Sequence, residues 1–384
     1  MKSLGSPSVD IAVVGGGIAG ASAAAHLSAH TTVLLLEQEA ELAYHTTSRS
    51  AAVFFESDDD GIFDQLVAAS RSFFDADHHE LDGPLLRSLP LLMVGDDSHR
   101  DQFEAAVAKA RARAAHIRAK VLIGDELRKW CPVLTEAATI GRIETTAAEI
   151  DVMAVHQLFV RRAIAAGGTI GRSAKVTSIE AGAKGSGRRW RLSTAAGPVE
   201  ADIVVNAAGA WGDEIAAMAG VAPVGLTPMR RTAFTTRIDQ DPSGWPFVYS
   251  SIADLPCYFK PEAGNRLLCS LADETPMAPG DARPEEIDVA QAIDHLNQLT
   301  TLNIRSVATT WAGQRTFTPD RIPVWGYDDA VEGFFWFNGQ GGWGIGTAPA
   351  AGQIAEGLIV HDAIPDTVSA FGVDADALSP ARFR

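Results

Sequence analysis

The residues whose types and spacing could do chemistry fall in five segments of the chain. The first is Gly15-x-Gly17-x-x-Gly20, with Glu37 further on. Glycines at that spacing permit a tight turn and let the backbone approach a pyrophosphate at a helix N-terminus. An acidic residue about 20 positions later is placed to accept hydrogen bonds from ribose hydroxyls. Alone, the pattern is weak, because a glycine-rich turn without a ligand would also explain it. Here Val9 to Val14 reads as a buried strand, apolar apart from Asp10. Ile18 to His30 reads as an alanine-rich helix, and Thr31 to Leu36 as a second strand. That βαβ context makes a dinucleotide site the better reading. Ile18 and Ala19 stand at the helix entrance and Gln38 beside Glu37, as further contacts. The fingerprint does not separate FAD from NAD.

The second segment is Thr46, Thr47, Ser48, Arg49, Ser50, Ala51 and Ala52. Its hydroxyls, guanidinium and small residues suit a polyanion such as phosphate. The third runs from Val204 to Trp211, where a buried strand ends in Asn206, Ala207, Ala208 and Gly209. A ligand ring can approach such a junction closely. Ala207, Gly209 and Trp211 are the candidates there, with Val176 on a neighbouring strand. The fourth is Thr310 to Arg315, including Gly313, followed by Asp320 and Pro323. The fifth is Gly339 to Ile345, with Gly341, Gly342, Trp343, Gly344 and Ile345. It leads into a small-residue helix expected from Thr347 to Ile359. Its backbone N–H groups and dipole suit an electron-rich ring edge.

Helices are expected from about Gly61 to Ala76, Arg100 to Ala119, Ala154 to Ala166 and Pro284 to Thr300. The proline of the last sits where its missing N–H costs nothing. Leu85 to Val94 is apolar and punctuated by proline, and reads as strand-like. Further strands are expected at Lys175 to Ile179, Trp190 to Ser193 and Ile203 to Asn206. Residues 226 to 310 change character, with more Pro, Thr and aromatic residues. Short strands at Arg231 to Thr236, Phe247 to Ser250, Tyr258 to Lys260 and Leu267 to Ser270 suggest a separate sheet.

The bulk properties agree with a two-lobed globular chain. A chain of 384 residues can bury two cores. A formal charge of −16 repels phosphate backbones, so nucleic acid is not an expected partner. Cys131, Cys257 and Cys269 form no close pair, which fits neither a disulfide scaffold nor a zinc site and suits a reducing cytoplasm. The first ten residues hold no apolar run, so a secretory leader is not expected. The longest apolar stretch, Ile11 to Ala25, is broken by glycines and is shorter than the roughly 20 residues of a membrane span.

Taken together, these segments resemble, in order, those of the FAD-dependent D-amino-acid oxidase superfamily, and most nearly its D-arginine dehydrogenase branch. The similarity extends to Met229-Arg230-Arg231-Thr232-Ala233-Phe234, Tyr258-Phe259-Lys260-Pro261 and Leu378-Ser379-Pro380, so it covers nearly the whole chain. It implies an α/β fold: a Rossmann-like FAD domain of the glutathione-reductase type, and a substrate domain on a mixed sheet. The expected FAD domain is discontinuous, 1–80, 145–225 and 311–384, with 81–144 and 226–310 binding substrate. The resemblance implies non-covalent FAD. It implies Arg231 and Arg315 gripping a substrate carboxylate, Tyr258 orienting it, and the Gly342 carbonyl meeting the amino group. A bidentate guanidinium is a natural carboxylate partner. That Arg231 rather than Arg230 faces the ligand rests on the resemblance.

The sequence departs from the arginine-preferring branch at three positions. Leu91 stands where those relatives carry an acidic residue, Val53 where they carry histidine, and Asp58 where they carry tyrosine. With Phe55, these residues are expected to border the substrate side chain. A desolvated cation needs a carboxylate partner, so Leu91 points to neutral or hydrophobic D-amino acids, unless Glu56 or Asp58 restores a charge. The implied chemistry is hydride transfer from Cα to flavin N5. The imino acid then hydrolyses to a 2-oxo acid and ammonia, and electrons pass to oxygen, a quinone or another carrier. No histidine or carboxylate base is required. Glycine, sarcosine or another secondary amine, or a 2-hydroxy acid, stay open as alternative donors; both arginines and Tyr258 argue against the alternative of a non-catalytic flavoprotein, and the second and fifth segments against an NAD-linked dehydrogenase.

Overall fold

The computed structural model describes residues 8–56, 61–182 and 187–384. Asp58 lies outside the described residues.

Ser8–Val14 is the centre of the first sheet and pairs in parallel on both sides. Val13 lies opposite Leu35 of Val33–Leu36 and opposite Val205 of Gly197–Asn206. Thr169–Gly171 extends the sheet beyond Val33–Leu36, and Phe334–Asn338 pairs in parallel with Val204–Asn206. An antiparallel edge is added by Val176–Ala181 and Trp190–Thr194. These strands read as apolar runs because both faces are covered. The helices Ile18–Leu27 and Gly344–Val360 lie on one face, where Leu27, Phe335, Phe337 and Ile354 are buried. The other face buries Leu34, Val204, Trp336 and Ile215. The exception, Asp10, accepts hydrogen bonds from the Thr31 and Thr32 hydroxyls and pairs with Arg188, which hold its carboxyl well below the usual range.

The second sheet is mostly antiparallel. Its order is Thr275–Pro276, Thr227–Arg237, Arg266–Ser270, Tyr258–Glu262, Phe247–Ser250, Leu91–Gly95, Ile140–Glu144 and Ala119–Ile123. Thr309–Phe317 runs along the other side of Thr227–Arg237 from Thr309 to Phe317. The expected boundary at 311 falls inside this strand. Alternation along each strand gives the sheet two different faces. Leu92, Val248, Phe259, Cys269 and Phe234 point to a core shared with the helix Glu286–Leu299. Leu91, Phe247, Tyr258 and Leu268 point the other way. A small third sheet, Val53–Phe54, Ala148–Ile150 and Leu86–Ser88, stands apart from both.

Some expected elements change. The helix starting at Arg100 stops at Arg113, and Ala119–Ile123 is a strand. The apolar stretch Leu85 to Val94 divides into two strands in different sheets, broken at Leu89 and Pro90. Pro90 lacks an N–H, and its carbonyl accepts from Phe247 N, which starts the second strand in register. The last long helix begins at Gly344, three residues before the expected Thr347. Among the described residues no helix is long and apolar enough to cross a membrane.

Candidate active site

A long cleft of about 1540 Å³, open mouth included, runs along the C-terminal ends of the first sheet's parallel strands. Ligands of open α/β sheets bind at that edge. One end is lined by Glu37, Gln38, Lys175 and Val176, the middle by Gly15, Gly17, Ile18 and Ala19. The other end holds Arg231, Tyr258, Arg315 and Gly342.

The glycine turn is held from several sides. Gly20 packs against Gly15 so closely that a Cβ would lie 1.8 Å from the Gly15 carbonyl oxygen. Glu37 is buried and accepts from Gly16 N at 2.8 Å and from Glu39 N at 2.9 Å, which fixes its carboxylate at the cleft wall. His156 is buried, and burial lowers its pKa. It is therefore neutral at pH 7, and its Nε2 donates to the Gly16 carbonyl at 2.9 Å. The backbone N–H of Ile18, at the helix start, donates to the Thr47 hydroxyl at 3.0 Å.

The second segment lines the cleft through Thr46, Thr47, Arg49, Ser50 and Ala51, but its side chains are largely engaged elsewhere. The Thr46 hydroxyl donates to the Gln314 carbonyl. Arg49 donates to the carbonyls of Ala282 and Ala312 and pairs with Asp281. Arg49 thereby ties the loop to the second sheet while still lining the cleft. Ser48, Ala52, Gly20 and Trp343 do not line the cleft. The Ser48 hydroxyl donates outward to the Tyr44 carbonyl, and the Ala52 carbonyl accepts from Ile150 N in the small sheet. Gly20 serves packing, and the Trp343 ring stacks on Phe63 at 5.6 Å and contacts Phe55 at 5.1 Å. The remaining expected cofactor residues, Ala207, Gly209, Trp211, Gly313, Gly341, Gly344 and Ile345, do line it. Gly341 has φ +54°, and a Cβ there would meet the Phe317 ring at 2.4 Å.

The pairing of strands brings the two arginines together. Met229 lies opposite Arg315 and Arg231 opposite Gly313, so Arg231 and Arg315 share a face as diagonal neighbours. Gly313 leaves room beside them. Arg230 points to the opposite face, where it pairs with Glu285 and Asp288. Arg231 donates from Nε to the Asp273 carbonyl at 2.7 Å and pairs with Glu274 at 3.2 Å. Arg315 lies against Gly342, whose added Cβ would sit 2.9 Å from Nη1. Burial, with the charge of Arg231 adding to it, lowers the Arg315 pKa to about 10. The site is thus strongly electropositive, yet Arg315 stays charged at neutral pH.

Tyr249, read earlier only as part of a strand, joins this end. Its ring stacks on Tyr258 at 6.2 Å, and its hydroxyl pKa is raised by burial despite the opposing pull of Arg231 and Arg315. Glu274 was also missed. His45 lines the cleft, contacts the Trp211 ring at 4.8 Å, and has a buried Nδ1 without a protein partner. Its position beside the second segment was the available signal. Val53, Phe55 and Leu91 do not line the cleft itself. They form one apolar cluster with Tyr258, Tyr249, Phe247 and Ala51 that adjoins its arginine end. Glu56 is buried and pairs with Arg71 and His116, so it supplies no charge to that cluster. All three cysteines are buried in the core behind the second sheet.

A family model described as FAD dependent oxidoreductase matches residues 10–358. The chain belongs to the FAD-dependent oxidoreductase family. It is similar to the hydrogen cyanide synthase subunit HcnC of Pseudomonas aeruginosa, 24% identical over 300 residues, covering 77% of this chain and 68% of that protein. It is also similar to mitochondrial sarcosine dehydrogenase of Mus musculus, 23% identical over 92% of this chain but only 40% of that protein. The fold matches the crystal structure of glycine oxidase from Geobacillus kaustophilus with TM-score 0.79 and 21% identity, over 98% of this chain and 99% of the other. FAD is therefore the cofactor, and the residues present fit it. The glycine turn offers backbone N–H groups to a pyrophosphate, Glu37 could accept from a ribose, and the orphaned His45 Nδ1 needs a partner.

Proposed function

We propose that the protein oxidises a free amino acid at Cα, with a D-amino acid bearing a neutral or apolar side chain as its preferred substrate. Bound FAD supplies the two-electron acceptor, and oxygen, a quinone or another carrier reoxidises it. The observation that carries this reading is the pair Arg231 and Arg315 on one sheet face at the end of the cleft, beside Tyr258 and Tyr249. Two charged forks suit a carboxylate. The buried Asp273 carboxylate is taken by Thr232 and pairs with Arg230. Glu274 reaches Arg231 from the exposed side, where it also pairs with Arg321.

With the carboxylate held there, the Gly342 backbone carbonyl accepts from the amino group and orients the Cα–H bond. The amine gives its proton to water, so no side-chain base is needed. The apolar cluster of Leu91, Val53, Phe55 and Phe247 receives the substrate side chain and excludes water. Such positioning is where an enzyme gains most when a cofactor performs the redox step. The imino acid leaves and hydrolyses to a 2-oxo acid and ammonia.

A second reading, oxidation of glycine or an N-methylated amino acid, draws on the similarity to a sarcosine dehydrogenase and to a glycine oxidase. It keeps the same carboxylate grip and leaves the apolar cluster empty. Anaerobic addition of D- and L-amino acids, glycine and sarcosine to the purified yellow protein distinguishes the two. Bleaching of the flavin by D-leucine or D-methionine supports the main reading. Bleaching only by glycine or sarcosine establishes the second, and a preference for D-arginine contradicts the apolar-cluster argument.

A further inference from the structure

The two helices that open onto the cleft end side by side on the far surface. Ile18–Leu27 and Gly344–Val360 both start at cleft walls and pack along one another. Gly352 allows the close approach, since a Cβ there would lie 2.5 Å from His26 Cδ2. Just beyond, three histidines converge on one carboxylate. His30 Nε2 is 2.6 Å from Glu356 Oε1, and His26 Nδ1 is 2.8 Å from Glu356 Oε2. His361 follows the end of the second helix, its ring 5.6 Å from that of His30 and at 87° to it. One donor atom each from His30, Glu356 and His361 lies within 4.8 Å of the other two. The proposed oxidation uses none of these residues.

We propose that His30, Glu356 and His361 bind a divalent transition ion of the zinc class. Two imidazoles and a carboxylate are a zinc donor set, with water left to complete a tetrahedron. Ligand distances of about 2.0–2.2 Å place tetrahedral donors roughly 3.3 Å apart. The His30–Glu356 contact need only open slightly, and the more distant donors need only close slightly. Both movements are rotations of exposed histidine side chains. His26 supplies the outer hydrogen bond that orients a ligating carboxylate by holding its second oxygen. The cluster sits at two helix C-terminal ends, whose partial negative charge favours a cation. The ion joins the outer ends of two helices whose inner ends face FAD, so loading it stabilises the FAD half of the molecule.

The test uses tag-free, FAD-loaded protein freed of metal with a chelator and then dialysed. Titration with zinc chloride in a calorimeter is expected to show one ion per chain, with a higher melting temperature when zinc is present. His30→Ala and His361→Ala should each weaken zinc binding by about tenfold or more, by the loss of one of three ligands. Their flavin spectra and their melting in chelator should be unchanged. Cobalt chloride offered to the unaltered protein should give the strong visible absorption of a tetrahedral site. Absence of one-equivalent zinc uptake, or unchanged affinity in the protein carrying both His30→Ala and His361→Ala, overturns the proposal. If the variants lose flavin, the cobalt spectrum of the unaltered protein decides.

Discussion

The first sheet presents mainly backbone to its ligand, whereas the second presents side chains. At Gly15 to Ile18 and at Gly341, Gly342 and Gly344 the cleft wall is peptide groups, the first stretch being held in place by Glu37, His156 and Thr47. Along Thr227–Arg237 and Thr309–Phe317 the wall is Arg231 and Arg315, set on one face by antiparallel pairing. A backbone site depends on close approach and fails when a Cβ intrudes. A side-chain site depends on which face a residue occupies, and fails when charge or register changes. The two halves should therefore break in different ways.

The largest effect is expected at the side-chain site. Arg315→Ala should lower kcat/KM by about a hundred- to a thousandfold, since losing one partner of a buried charge pair costs about 2–5 kcal/mol. Flavin content should be unchanged. Arg230→Ala, on the opposite face, should reduce the melting temperature and leave substrate affinity within about twofold, because its partners are Glu285 and Asp288. At the backbone site the pattern reverses. Gly20→Ala drives a Cβ to 1.8 Å from the Gly15 carbonyl oxygen. The variant should lose about 3 kcal/mol of stability, the upper range of overpacking, and bind little FAD. Melting curves and flavin absorbance report both effects.

Smaller changes sharpen the second sheet's role. Leu91→Glu, in the cluster with Tyr258 and Phe247, should shift preference from D-leucine towards D-arginine by about tenfold, or about 1.4 kcal/mol. Measured kcat/KM ratios decide it. The lowered Arg315 pKa sets a pH dependence. The charged guanidinium binds the anion, so affinity for a carboxylate inhibitor should be constant around neutral pH and fall as pH rises towards about 10. At that pH half the sites are uncharged and the apparent Kd is about doubled. Glu274→Gln removes the exposed carboxylate that competes for Arg231, and should tighten carboxylate binding by a fewfold.

The same contrast explains how much was legible in the sequence. The glycine fingerprint, Glu37 and the strands around them were readable, because a backbone site is written in local spacing. Phe247 to Ser250 was also read as a strand, and the structure has it between those residues. The face of each residue on the second sheet was not readable locally. Arg231 and Arg230 are adjacent, and only the pairing of Thr227–Arg237 with Thr309–Phe317 separates their environments. Tyr249 was missed because it joins the site through pairing with Tyr258. The partners of Arg49, Ala282, Ala312 and Asp281, were not readable because they lie in distant segments. The packing of Trp343 against Phe63 and Phe55 was unreadable too, because such ring contacts carry no local signature.

The central claim is that a carboxylate grip on the second sheet positions the substrate over the FAD cleft. It is tested most directly by mixing the oxidised protein anaerobically with D-leucine and, separately, with 3-methylbutylamine, which is leucine without its carboxylate. The account predicts flavin reduction by D-leucine at least a hundredfold faster at equal low concentration, with that advantage lost in Arg315→Ala. Equal reduction by the amine, or an advantage that survives in the variant, would contradict it.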